Sequence, residues 1–438
     1  MKPLLPKSNS HLKDLIKGGG THFLFYGVNV VLVYIIAIFI TKEFGPSVYG
    51  RYAIIKSLIM VLIIFSTLGL NTLVIKLAAD KSHYHLKHFK SNFLSKSYLI
   101  IFITTVILSV ILYLSNGFLS ENVFKDNHLE PYFEKLPLIL LAAVFLNYNS
   151  NLFMGQKRVL LFAIISSFLT NAIFILFLFL ATVYYKAAMD SFVIICLSLA
   201  FVIPCIISFL FIFPIKQNNP ILKLSGKQLI NSGFPMMISS SMIYLIFSID
   251  TIMLGIFSIS KDVGIYRIVS QIAGVNAIFV VVLGTVVGPK IAALYAENNQ
   301  KGFKELILQS SKLIFFISLP ILFILLIFSR EILLYFGDEF TAGHSALVIL
   351  IIGQFIFSIT GFVDLILNMT DNQKIFGKIT MGTALLNIVL NLILIPVWGI
   401  NGAAVATGFS IVLTNVLALI YIKKNFNVWP IYVPLQKK

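Results

Sequence analysis

The chain is poor in charge. Of its 438 residues only 11% are Asp, Glu, Lys or Arg, against about 25% in an ordinary soluble domain. With 58% hydrophobic residues, 40 Phe and a mean hydropathy of +0.96, this shortage excludes a soluble globular core. Cysteine is nearly absent. Cys196 and Cys205 lie inside one apolar run, so they read as small core residues rather than a disulfide or a metal site. The signatures of common enzymes are missing: there is no GxxxxGK[ST] phosphate loop, no His-Glu-x-x-His and no Gly-x-Ser-x-Gly. His83, His85 and His88 are spaced so that they do not share one helix face, which makes them a solvated loop rather than metal ligands. Long polar connections are lacking too, which excludes an inserted soluble domain. No small-residue cleavage site follows a short apolar region near the start, and the first apolar span is expected to be an uncleaved signal anchor.

What the chain does have is apolar runs of bilayer length. About 20 apolar residues cross a membrane as a helix. Such spans are expected near 21–41, 52–78, 94–115, 136–154, 160–181, 190–213, 230–258, 265–289, 307–329, 344–369, 379–396 and 401–422. The expected fold class is therefore an all-α polytopic membrane protein of about twelve helices. The net charge of +16 sits mostly in alternate short loops, for example Lys76 to Lys96, Lys157-Arg158, Lys216 to Lys227 and Lys290 to Lys312. Loops such as 116–135 and 330–339 are acid-rich instead. The positive-inside rule then puts the basic loops and both termini in the cytoplasm.

A stretch near the start repeats. Phe44-Gly45-Pro46 must break a helix, because Pro lacks an N–H and its ring clashes with the preceding turn. It leads into Val48-Tyr49-Gly50-Arg51-Tyr52, which lies over Asp262-Val263-Gly264-Ile265-Tyr266. Gln156-Lys157 and Gln373-Lys374 are about as far apart again. The expected organisation is a six-helix bundle over 1–213, a cytoplasmic linker over 214–229 and a second bundle over 230–438. The two would be related by a parallel repeat about the membrane normal.

Polar groups inside spans carry the functional expectation, since a charge there costs roughly 2.5–3.5 kcal/mol on insertion scales unless it meets water or a partner. Lys56 lies about a turn and a half inside the second span. Arg267 and Gln271 stand one turn apart, and Tyr26 and Asn29 share a face with His22. Gln354, Ser358, Gly361, Asp364 and Asn368 fall within about a third of a helix circumference. Lys56, Arg267, Gln271, Tyr26, Asn29 and Gln354 are the candidate substrate-facing residues. Asp250 and Asp364 are candidates for ion coupling or for ion pairs across the halves. Arg51 and Arg267 are alternatively read as snorkelling to the interface, and Asn387, Asn391 and Asn415 as bridges between helices. No catalytic residue, metal site or cofactor is expected.

Three stretches resemble one family. Phe44-Gly45-Pro46…Tyr49-Gly50-Arg51-Tyr52-Ala53 with Leu68-Gly69-Leu70, Ile249-Asp250-Thr251-Ile252-Met253-Leu254-Gly255 with Val263-Gly264-Ile265-Tyr266, and Asn391 to Thr407 are similar to the corresponding stretches of bacterial polysaccharide flippases. These are the O-antigen (Wzx-type) branch of the multidrug and lipid-linked oligosaccharide exporter superfamily, whose fold is MATE-like. The chain departs at Thr251, where Arg is common, and at Ser66-Thr67, where Ala-Asp is common. The resemblance implies a non-enzymatic flippase for an undecaprenyl-pyrophosphate-linked repeat unit in lipopolysaccharide or polysaccharide biosynthesis. It implies a place in the bacterial inner membrane, possible coupling to H⁺ or Na⁺, and a polymerase and chain-length regulator as partners. A cation-coupled multidrug exporter of the same fold is the alternative reading. A membrane polymerase or glycosyltransferase fits less well, because it needs a sizeable loop or carboxylates outside the bilayer.

Overall fold

The structure, a computed structural model, describes residues 8–79, 93–185, 190–212 and 225–432, with side chains described outside 8–24, 26, 79, 185, 190 and 238–247. The loop residues 81–90, with their three histidines, and most of the expected linker lie outside these. Every regular element among the described residues is helical. In chain order they are α1 (8–44), α2 (46–67), α3 (Leu70–Ala79), α4 (Ser95–Leu114), α5 (Glu130–Gly155), α6 (159–185, with a π turn at Ile164–Phe168), α7 (Asp190–Leu210), α8 (Gly226–Phe257), α9 (Ser260–Ala273), α10 (Val275–Ala296), α11 (Gln300–Ile327), α12 (Ser329–Phe336), α13 (His344–Ile359), α14 (Val363–Met369), α15 (373–398) and α16 (400–426).

Among the described residues, nine helical stretches are long and apolar enough to cross a membrane. Two of them are pairs divided by a glycine, and Gly226–Phe257 adds a further crossing. The described helices thus make the expected dozen. Side-chain exposure agrees: on α4, Leu99, Ile103, Ile107, Val110 and Leu114 are 58%, 49%, 55%, 51% and 79% exposed. An apolar stripe of that length on the surface needs lipid as its solvent. The chain is a multi-pass membrane protein.

The breaks follow local chemistry. Gly45 takes φ 82°, ψ 175°, a conformation that needs no Cβ, and Pro46 then starts α2. The span expected over 344–369 is not continuous. It stops at Thr360 and turns through Gly361 at φ 75° before α14 begins. The single helix phase assigned to Gln354, Ser358, Gly361, Asp364 and Asn368 is therefore corrected: Asp364 and Asn368 belong to a separate short helix. Asn415 Oδ1 accepts a hydrogen bond from Thr360 Oγ1 at 3.0 Å at this break. The second span is likewise interrupted, at Leu68-Gly69, and Thr104 Oγ1 donates to the Ser66 carbonyl there at 2.5 Å.

Contacts group the chain into two compact units. Unit one comprises 1–39, 59–122 and 127–241, and unit two comprises 40–58, 123–126 and 242–438. The core of unit one packs Leu70, Val74, Ile101, Leu140, Val144 and Tyr148. That of unit two packs Val280, Ile291, Ile314, Ile366 and Leu419.

Within unit two the repeated stretches touch. The first turns of α2 and α9 approach backbone to backbone. A Cβ on Gly50 would stand 1.7 Å from the Ser260 carbonyl oxygen, and one on Gly264 would stand 2.0 Å from that of Pro46. Pro46 precedes Gly50 by four residues, as Ser260 precedes Gly264. Each glycine therefore meets the counterpart of its own neighbour, which is the reciprocal geometry of a local two-fold contact.

At the other end of unit two the chain beyond α16 folds back. Asn427 turns it in the left-handed region at φ 49°, and Val428 is buried in the core. Pro430 accepts a hydrogen bond from Ser311 Oγ at 3.1 Å, beside Gly361. The Tyr432 ring lies 5.5 Å and 5.7 Å from those of Phe315 and Phe316.

Candidate substrate and ion sites

Three of the six candidate substrate residues come together in unit two. Lys56 projects from α2 and is half-buried. Its Nζ donates to Tyr52 Oη at 2.9 Å and lies 5.2 Å from the centre of that ring. Tyr49, on the same helix, donates from Oη to Gln271 Oε1 on α9 at 3.2 Å. The Arg267 guanidinium is close enough for its charge to act on Lys56, Tyr49 and Tyr52. Two cations therefore share one polar site with phenols and an amide, and among the described residues neither Lys56 nor Arg267 forms an ion pair with a carboxylate. Like charges held close repel, so the arrangement is one that an anion would relieve.

The other three stand elsewhere. Asn29 on α1 belongs to unit one, where its Oδ1 accepts from Asn171 Nδ2 on α6 at 2.7 Å. Tyr26 lies on α1, but its side chain is outside the described residues, as are those of His22 and Tyr244. Gln354 is half-buried on α13, and its carbonyl accepts from Ser358 Oγ at 3.0 Å.

Asp250 is 4% exposed on α8 and draws its partners from three other helices. It accepts from Tyr266 Oη of α9 at 2.9 Å, from Asn391 Nδ2 of α15 at 2.7 Å and from Thr407 Oγ1 of α16. Asn391 Nδ2 also donates to Asn387 Oδ1 at 3.1 Å, and Asn391 Oδ1 is buried without a partner. All of these partners are neutral. Carboxylate, amide and hydroxyl oxygens crowd one buried spot, the donor set that suits a hard cation. Asp364 is half-buried in the first turn of α14, just past the Gly361 break.

Arg51 is 9% exposed and does not snorkel. Its Nε donates to Asp126 Oδ2 at 2.8 Å, and Ser260 Oγ donates to the same oxygen at 2.5 Å. Sequence reasoning passed over two further polar groups, both in unit one. Tyr98 Oη donates to Asn149 Oδ1 at 2.6 Å, while Asn149 Nδ2 donates to Ser208 Oγ at 2.7 Å. Asn71, Asn147 and Asn151 form the second. The alternation Asn147-Tyr148-Asn149-Ser150-Asn151 inside an apolar span was the available signal.

The fold has known counterparts. The fold is that of transporters of the MOP superfamily. An inward-facing multidrug resistance MATE family transporter superposes with a TM-score of 0.73 at 13% identity, over 91% of this chain and 94% of that one. The lipid II flippase MurJ, in an inward closed conformation, superposes with a TM-score of 0.68 at 16% identity, over 93% and 89%. Residues 15–295 match the profile of the family described as "Polysaccharide biosynthesis protein", and residues 235–393 match the MatE family. The chain belongs to the polysaccharide biosynthesis protein family. Among curated relatives, a probable low-salt glycan biosynthesis flippase, Agl15, of Haloferax volcanii is 28% identical over 45% of this chain. The probable flippase AglR of the same organism is 24% identical over 42%. The matched regions span 42% and 39% of those relatives' lengths.

Proposed function

We propose that the protein is a flippase that moves an undecaprenyl-pyrophosphate-linked O-antigen or polysaccharide repeat unit from the cytoplasmic to the periplasmic leaflet by alternating access. The observation that carries this reading is the pairing of Lys56 with Arg267, two intramembrane cations without an ion-paired carboxylate among the described residues, in a chain of the polysaccharide biosynthesis family. A pyrophosphate taken from water into hydrocarbon loses hydration worth tens of kcal/mol by Born arguments. Two fixed cations beside phenol and amide groups replace part of that hydration. The name of one Haloferax volcanii relative, a probable glycan biosynthesis flippase, supports a glycan as cargo, and that of the other supports flipping. The lysine-rich loops support a bacterial inner-membrane orientation with both termini cytoplasmic. A polymerase and a chain-length regulator would take the cargo onward, and the protein itself would make or break no bond.

The oxygen cluster at Asp250 supports coupling to H⁺ or Na⁺. Asp250, Asn387, Asn391 and Thr407 would hold the ion, and its charge would offset that of the carboxylate in a dry site. The MatE match over 235–393 favours a second reading, a cation-coupled multidrug exporter, in which Asp250 matters more than Lys56. The separating experiment is Lys56→Ala in a strain whose surface polysaccharide depends on this gene. Surface polysaccharide is expected to be lost while the protein stays in the membrane at wild-type level. Undiminished polysaccharide, with drug sensitivity raised on deletion, would replace the first reading with the second.

A further inference from the structure

The amide cluster of unit one has unused hydrogen-bonding capacity. Asn71 on α3 and Asn147 and Asn151 on α5 are each half-buried. Their orientations are fixed by their partners. Asn71 Oδ1 accepts from the Thr72 N–H at 2.9 Å, so its NH₂ group points away and donates to Asn147 Oδ1 at 3.3 Å. Asn151 Nδ2 donates to the Asn147 backbone carbonyl at 3.0 Å and to Asn147 Oδ1 at 3.1 Å. Turning the Asn147 amide over would lose two bonds at once. The NH₂ group of Asn147 and the Oδ1 of Asn151 are left over. Neither has a hydrogen-bond partner among the described residues, and both side chains are half-buried rather than fully buried.

Helix phase says which way they open. Leu138, 52% exposed, marks the lipid face of α5. At 100° per residue Asn147 lies about 180° around the helix from it and Asn151 about 220°. On that far side Leu140, Ala143 and Val144 are buried. The opening is therefore confined to the last turns of α5, next to the Lys157-Arg158 loop. Amides turned away from lipid yet unpaired need water or a polar ligand, since an unsatisfied amide costs several kcal/mol in hydrocarbon.

The three amides are themselves uncharged, and the two left-over groups, a donor on Asn147 and an acceptor on Asn151, stand one helical turn apart. A phosphate would use only the donor and a metal ion only the acceptor, whereas a sugar hydroxyl uses both. We infer that Asn147 and Asn151 form a subsite for uncharged sugar hydroxyls. It reads the glycan part of the cargo. This rests on the flippase reading and assigns to it the residues that select the cargo. Sites built to pair a hydroxyl discriminate strongly against a cargo that lacks it, because their own polar groups are then left unpaired.

The test uses the full chain in proteoliposomes with two carriers: the lipid-linked repeat unit extracted from cells that carry this gene, and undecaprenyl pyrophosphate bearing a single sugar. Variants are Asn147→Leu and Asn151→Leu, with Asn147→Gln as the amide-retaining comparison. Each Leu variant is expected to slow translocation of the repeat unit about tenfold and to leave the single-sugar carrier within about twofold. Asn147→Gln is expected to recover part of the loss. Equal slowing of both carriers, or no slowing of either, overturns the subsite while leaving the flippase reading in place. A wild-type protein that moves neither carrier overturns the flippase reading, and the subsite with it.

Discussion

Alanine at Gly50 or Gly264 tests the reciprocal contact between the repeated turns. An ordinary Cβ contact is 3.4–4 Å, whereas Gly50→Ala would place its methyl 1.7 Å from the Ser260 carbonyl and Gly264→Ala 2.0 Å from that of Pro46. Both obstacles are backbone atoms and cannot swing aside, so the turns must part by about 1.5 Å. Overpacking of this kind costs about 1–3 kcal/mol. Because both obstacles are backbone, the upper end of about 3 kcal/mol applies; alanine's better helix propensity returns at most about 1 kcal/mol, so each single variant is net destabilised, by about 2 kcal/mol. The reciprocity makes a sharper demand. Once one methyl has separated the turns, the second enters a gap already opened. The double variant should then cost about what one single does, a coupling of about 2 kcal/mol, well beyond the few tenths expected of independent sites. Denaturant titration of the purified protein in detergent measures all four corners of the cycle. Additive losses, or a single variant within about 0.5 kcal/mol of wild type, would show that the turns do not meet in this way.

Two other outcomes follow from the sites. Asp250→Asn keeps the side-chain shape but removes the charge, so translocation in vesicles should stop responding to an imposed Na⁺ or proton gradient; an unchanged response would exclude Asp250 from coupling. Asp126→Ala leaves Arg51 buried without its carboxylate and should cost about 2–4 kcal/mol, near the range for a broken buried pair. Arg51→Met combined with Asp126→Ala should recover much of that loss, and chemical denaturation of the three variants decides it.

Much of this architecture was readable because a bilayer imposes simple rules. Length and hydropathy place the crossings, and Gly45-Pro46 announces its break through proline's missing N–H. The break at Gly361 was not readable: an isolated glycine in an apolar helix is usually tolerated, and the positive φ and the close approach of the Pro430 carbonyl and Ser311 Oγ that explain this one are visible only in the fold. Lys56 and Arg267 stood out singly because each is costly alone. That they share a site depends on how α2 meets α9, which no local pattern encodes. Asp250 was likewise visible as a buried carboxylate, but its neutral partners come from three helices distant in sequence. Asn147 and Asn151 were missed although four residues apart on one face, since amides inside a span carry no charge to attract notice.

The returning segment after α16 has a practical meaning for anyone handling this protein. Val428 and Pro430 sit inside the bundle and Tyr432 leans on α11, so residues 428–432 are part of the packing of α11 and the Gly361 turn. A reporter or purification handle fused directly behind Tyr432 would pull on that packing. A fusion reached through a generous flexible spacer, or one placed in a polar loop, would leave it undisturbed.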